Sequence, residues 1–156
     1  MSAREMMIES VGQWSGSNKV WLSPDAPARE SDVTASVGLA AGDGFAVITY
    51  DWQDEGKPQD GMLLIRVAPD GSPPDMVWID SWHTGGKFMD FRGEELPDGR
   101  LSARGSYEAP PGPDWGWRIA LSTDESGALK ILMDNITPDG QEAPAVETLL
   151  TRTSVD

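Results

Sequence analysis

Cysteine is absent from the chain, which removes disulfides, zinc–thiolate sites, iron–sulfur clusters and thiol nucleophiles from consideration. Histidine occurs once, as His83. A tight transition-metal site would therefore need mainly carboxylates, and no spacing among the acids resembles an EF-hand loop, so no metal is expected. Basic residues are also scarce: 12 Lys and Arg stand against 26 Asp and Glu, a net charge of −14. A surface this acidic repels phosphate backbones and anionic headgroups, so neither nucleic acid nor a membrane is an expected partner. No run of 18 apolar residues occurs, which excludes a transmembrane helix. The first ten residues carry acids and no apolar h-region, unlike a secretory signal. The expectation is a soluble, cytoplasmic protein with a single domain over residues 1–156.

Long helical patterns are missing too. Ala3–Val11 alone reads as a helix, about two turns, with Met6, Met7 and Val11 as its apolar stripe. It is too short to be stable alone and needs a sheet to lie on. What fills the chain is short alternating segments bounded by turn residues. Asp43-Gly44, Asp70-Gly71, Asp98-Gly99 and Asp139-Gly140 favour tight turns, and Glu55-Gly56, Gly85-Gly86 and Ser126-Gly127 add weaker breaks. Ten strands are expected between them: Gly12–Leu22, Asp32–Ala40, Gly44–Gln53, Gln59–Ala68, Met76–Trp82, Phe88–Glu95, Leu101–Tyr107, Trp115–Ser122, Ala128–Ile136 and Glu142–Thr153. Period two is clearest in the eighth, where Trp115, Trp117, Ile119 and Leu121 share one face and Gly116, Arg118 and Ala120 the other. With no helix between strands, parallel βαβ topology is disfavoured, and a sheet this wide closes to manage its edges. The expected fold is all-β, an antiparallel up-and-down barrel of about ten strands, with the short helix capping one end.

The first strand opens Val11-Gly-Gln-Trp-Ser-Gly16. This Gly-x-Trp-x-Gly pattern resembles the start of the lipocalin, fatty-acid-binding and nitrobindin barrels, the calycins. The resemblance implies that Trp14 packs across the closed bottom of the barrel against Arg152 of the last strand. Asp80-Ser-Trp-His83, Gly105-Ser-Tyr107 and Gly112-Pro-Asp-Trp-Gly-Trp-Arg118 extend it along the chain. Together the motifs resemble an uncharacterised bacterial family given a calycin-like barrel fold. Nitrobindin-type barrels bind haem through a histidine in their C-terminal part. Residues 145–152 contain none, so haem is disfavoured and no cofactor is expected.

Asp80-Ser-Trp-His83 is the densest cluster of potential chemistry. A bend before Gly85-Gly86 brings Asp80 and His83 together, the carboxylate orienting the imidazole as a general acid or base. The structural alternative is a strand end where His83 bonds a loop and Asp80 caps a turn. No Gly-x-Ser-x-Gly elbow exists for a serine hydrolase. The seven tryptophans either fill a core or line a cavity that a barrel wider than eight strands leaves open. The expected ligand-binding residues are Trp78, Trp82, His83, Tyr107, Trp117 and Arg118, with Asn18, Tyr50 and Arg66 as further polar candidates. Strict alternation sets Trp117 inward and Arg118 at the rim or outside. Three readings follow: a small-molecule-binding barrel for an apolar or aromatic ligand with a polar or anionic group, an enzyme using Asp80 and His83 at the barrel mouth, or a module whose exposed aromatics form a homodimer.

Overall fold

The computed structural model describes residues 2–154. Ten antiparallel strands follow one another in chain order: β1 (Gly12–Val20), β2 (Arg29–Ala40), β3 (Phe45–Asp54), β4 (Lys57–Arg66), β5 (Met76–Asp80), β6 (Met89–Glu95), β7 (Leu101–Tyr107), β8 (Trp115–Thr123), β9 (Leu129–Ile136) and β10 (Glu142–Ser154). Each pairs with its neighbours in sequence, and β1 also pairs with β10, so the sheet closes into a barrel and leaves no free edge. The expected fold class holds. One helix occurs among the described residues, α1 (Ala3–Glu9), and it is neither long nor apolar enough to cross a membrane.

Two-faced segments set the interior. Along β3, Ala46, Ile48 and Trp52 are buried while Thr49 and Asp51 face out, and along β8 Trp117, Ile119 and Leu121 are buried. Inward residues of facing strands fill the lower barrel with Ile48, Leu63, Ile65, Ile119, Leu121, Leu129 and Leu150. The sharpest turn is not one of the Asp-Gly pairs. It is Glu55-Gly56, flanked by the paired residues Asp54 and Lys57, with both loop residues at positive φ. That is the two-residue geometry whose twist matches the strands, and Gly56 accommodates it without a Cβ penalty.

The closed end is built by α1 and the start of β1. Ser2 and Glu5 cap the helix reciprocally, side chain to backbone at 3.1 and 3.2 Å. Met6 and Met7 lie buried against the core. Val11 departs from the expected stripe: the helix stops at Glu9, and Val11 is exposed. Trp14 is fully buried and donates its indole N–H to the Ser10 carbonyl at 2.8 Å. The Arg152 guanidinium lies 4.5 Å from the centre of the Trp14 ring and donates to the Glu9 and Val11 carbonyls at 2.6 Å. Gly16 completes the motif for a steric reason, since a Cβ there would sit 1.8 Å from the Leu149 carbonyl of β10.

Candidate functional site

The barrel's other end carries the polar and aromatic residues that the core does not absorb. Tyr50, Gly61 and Asp80 are register neighbours across β3, β4 and β5. Asp80 ends β5, two residues before the expected strand end. Its Oδ1 accepts the backbone N–H groups of Trp82 and His83, both at 2.8 Å, and these bonds turn the chain out of the ladder. The Thr84 hydroxyl closes the same turn, accepting from Asp80 N and donating to Asp80 O, each at 3.1 Å.

The bend brings Asp80 and His83 together. Imidazole Nδ1 lies 3.1 Å from Asp80 Oδ1. An ionised carboxylate only accepts, so Nδ1 is the donor in this contact. On the other oxygen, Oδ2, Asp80 accepts from Tyr50 Oη at 2.6 Å and from Trp52 Nε1 at 3.2 Å. Trp78 Nε1 in turn donates to Tyr50 Oη at 2.8 Å. Burial pushes the Asp80 carboxyl up, but the His83 and Tyr50 bonds outweigh it and hold the group below the usual carboxylate range. Burial, reinforced by the Asp80 charge, raises Tyr50 well above an ordinary phenol. The result is a fixed carboxylate, a neutral phenol and an oriented imidazole.

The His83 ring is set among four indoles, with centroids 4.6 Å from Trp82, 5.2 Å from Trp78, 5.7 Å from Trp52 and 5.9 Å from Trp117. Trp117 stacks on Trp78 at 5.6 Å and meets Tyr107 edge-on at 6.2 Å. Tyr107 is anchored by its hydroxyl to Asn135 Oδ1 at 2.6 Å. The buried Trp117 Nε1 has no hydrogen-bond partner among the described residues.

Above these rings the wall opens. The β6–β7 ladder stops at Arg92 and Arg104, although the strands run on to Met89 and Tyr107. Between them lies a cleft of about 1240 Å³, with Trp78, Trp82, His83 and Trp117 on its apolar floor, Met89 and Tyr107 on its walls, and Lys87, Phe88, Asp90, Arg92, Arg104 and Glu108 around its rim. Below the floor, Asn18, Asp80, His83 and Thr148 join apolar side chains around a second space of only about 30 Å³. The barrel is thus filled below and open above, with Trp78 and His83 as the partition.

Five of the expected ligand-binding residues, Trp78, Trp82, His83, Tyr107 and Trp117, line this one cleft. Arg118 does not. Alternation along β8 turns it to the outer face, where its Nε meets Glu94 at 2.6 Å and its Nη1 pairs with Glu142. Arg66 is also outside, opposite Phe45 on β4. Asn18 is buried beneath the floor, accepting from Thr148 Oγ1 at 2.6 Å. The sequence reading did not single out Lys87, Arg92 and Arg104, nor the role of Trp52 in holding Asp80. No group of three or more metal-ligating side chains assembles among the described residues.

Solved structures with a similar fold include Rv2717c from M. tuberculosis, 13% identical, with a TM-score of 0.62 over 99% of each chain. They also include the S-type phycobiliprotein lyase CPES from Guillardia theta, 14% identical, with a TM-score of 0.61 over 100% of this chain and 95% of that one. At these identities the likeness is one of fold. No curated protein matches in sequence. A family model described as a protein of unknown function, DUF1579, matches residues 1–152, and the chain belongs to that family.

Proposed function

We propose that this protein is a calycin-like small-molecule-binding barrel whose cleft takes an apolar or aromatic compound bearing a polar or anionic group. The observation that carries this reading is the cleft itself. An opening of about 1240 Å³ ends on four aromatic rings, and two of them are held by a hydrogen-bonded network rather than left mobile. A preformed concave site whose aromatic floor meets a polar, charged rim suits an amphipathic ligand. The named activity of one similar barrel, a phycobiliprotein lyase, supports the view that the fold suits such work. Haem stays disfavoured, because residues 145–152 carry no histidine.

The test is N-phenyl-1-naphthylamine titrated against the protein, followed by probe fluorescence and by quenching of the tryptophans. Saturable binding that Trp117→Ala weakens, with the fold retained, supports the cleft. If Trp117→Ala unfolds the barrel and the wild type binds no probe, Trp117 is core and the reading fails. Native mass spectrometry of protein purified from its own host then identifies the retained ligand.

A second reading has its own support. Asp80 accepts from His83 Nδ1 and so orients the imidazole, the arrangement that general acid–base catalysis uses. On that reading the same cleft binds a substrate, and turnover is abolished by His83→Gln while probe binding persists.

A further inference from the structure

We infer that Arg92 and Arg104 form an oxyanion anchor at the rim of the cleft, so that its ligand is a flat apolar body carrying a carboxylate or phosphate group. The inference rests on the cleft being a binding site, and it deepens that reading by fixing the ligand's charge and the point where it is held.

The two arginines are direct cross-strand partners on the last rung of the β6–β7 ladder, where the strands part and the cleft begins. Like charges placed opposite each other destabilise a sheet; Glu94 lies in the field of Arg104 but makes its contact with Arg118, so the pair is only partly offset. Arg118 shows how this chain neutralises an arginine. It stands opposite Arg104 on β8 and is paired with both Glu94 and Glu142. Arg92 and Arg104 have no ion pair among the described residues, although acids outnumber bases by 26 to 12. Lys87, on the same rim, is equally free of one, while Asp90 and Glu108 also line the cleft and pair with none of the three. Three cations against two acids give the rim a positive balance in a protein of charge −14. The Arg104 guanidinium leans over β8, its Nη2 3.6 Å from where a Cβ at Gly116 would sit, and Arg92 stands across the rung from it. Guanidinium forks match the paired oxygens of a carboxylate or phosphate, and the aromatic floor receives the body behind it.

Two probes separate charge from ring. 1-Anilinonaphthalene-8-sulfonate carries an oxyanion, and N-phenyl-1-naphthylamine is its uncharged counterpart. In the double variant Arg92→Gln/Arg104→Gln, sulfonate binding falls by about tenfold or more, the usual weight of a charge-assisted contact, while binding of the neutral probe changes less than about twofold. On the unaltered protein, raising salt to about 0.5 M weakens the sulfonate and spares the neutral probe. Arg66→Gln, on the outer wall, changes neither. Competition of 1-naphthoate against 1-naphthyl phosphate for the sulfonate site then tells which oxyanion the pair prefers. Equal loss of both probes in the double variant, or sulfonate binding indifferent to variant and salt, overturns the anchor while leaving the cleft. Failure of both probes on the wild type removes the cleft reading and the anchor with it.

Discussion

Tyr50 bonds Asp80 across an intervening strand. The phenol oxygen on β3 lies 2.6 Å from the carboxylate on β5, over β4, which presents Gly61 between them. A Cβ at position 61 would lie 2.4 Å from Tyr50 Oη and 2.7 Å from the Ile79 carbonyl. One of those neighbours is backbone and cannot simply rotate away. Gly61→Ala is therefore expected to lower stability by about 1–3 kcal/mol, the usual cost of overpacking. Urea denaturation reads the change, and a loss below about 0.5 kcal/mol means that Tyr50 reaches Asp80 another way.

Tyr50→Phe keeps the ring and removes only the oxygen. Trp78 loses its acceptor and Asp80 loses a donor, so buried polar groups are left short of partners. The expected cost is about 1–3 kcal/mol in the same denaturation experiment. The Asp80→Asn variant gives a second measurement on the same contact. With the carboxylate charge gone, Tyr50 ionises at a lower pH, although burial still holds it above an ordinary phenol. Tyrosinate absorbance follows this directly, because Tyr107 is the chain's other tyrosine.

Asp80 also sets an acid limb. Its carboxyl is depressed in the folded barrel, where burial is outweighed by the bonds it accepts, while the unfolded chain titrates at about 3.9. Below that value the unfolded state takes up the proton first, so the stabilisation is complete above it and is lost as pH falls through the lower folded value. The melting temperature is expected to fall steeply below about pH 4. Asp80→Asn is expected to start lower and to flatten that slope; an unchanged slope assigns the acid limb to other carboxylates, Glu94 first among them.

At the closed end, Arg152 does two jobs with one side chain: it covers the Trp14 ring and takes two carbonyls at the end of α1. Arg152→Ala is expected to cost about 1–2 kcal/mol from the lost ring contact and hydrogen bonds. Trp14→Ala, which opens a cavity in a filled core, is expected to cost about 3–5 kcal/mol. Comparable losses from the two variants show that the clasp, rather than the indole, closes the barrel.

Most of the barrel was legible because its grammar is local. Turn residues and period-two alternation delimit most strands from their own sequence, and Leu101–Tyr107 runs between the bounds expected of it. The Gly-x-Trp-x-Gly motif resolved into sterics, with Trp14 under Arg152 and Gly16 against β10. The site was harder to read. Asp80 and His83 lie three residues apart, so a bend alone could join them, but the donors to the other oxygen of Asp80 come from β3, some thirty positions earlier. Which strand neighbours which is not written in either segment. The rim arginines were hidden for a related reason. They are outward residues by alternation, and only the early end of the β6–β7 ladder makes an outer position part of a cleft. Arg118 was the reverse case, an arginine in an apolar strand whose partners Glu94 and Glu142 lie on other segments.

Every seam of the barrel but one joins segments that follow directly in the chain. The exception is β1 against β10, where Asn18 meets Thr148 across 130 positions. A meander can zip strand by strand with small loop-closure costs, whereas this last seam has to bring distant ends of the sheet together. Ring closure is then expected to be the slow event of folding, with the buried Asn18–Thr148 bond setting the register in which the two ends meet. A one-residue slip there would turn every inward side chain of β10 to the solvent. Thr148→Val is accordingly expected to slow refolding more than it speeds unfolding, a partition that stopped-flow fluorescence of the tryptophans resolves.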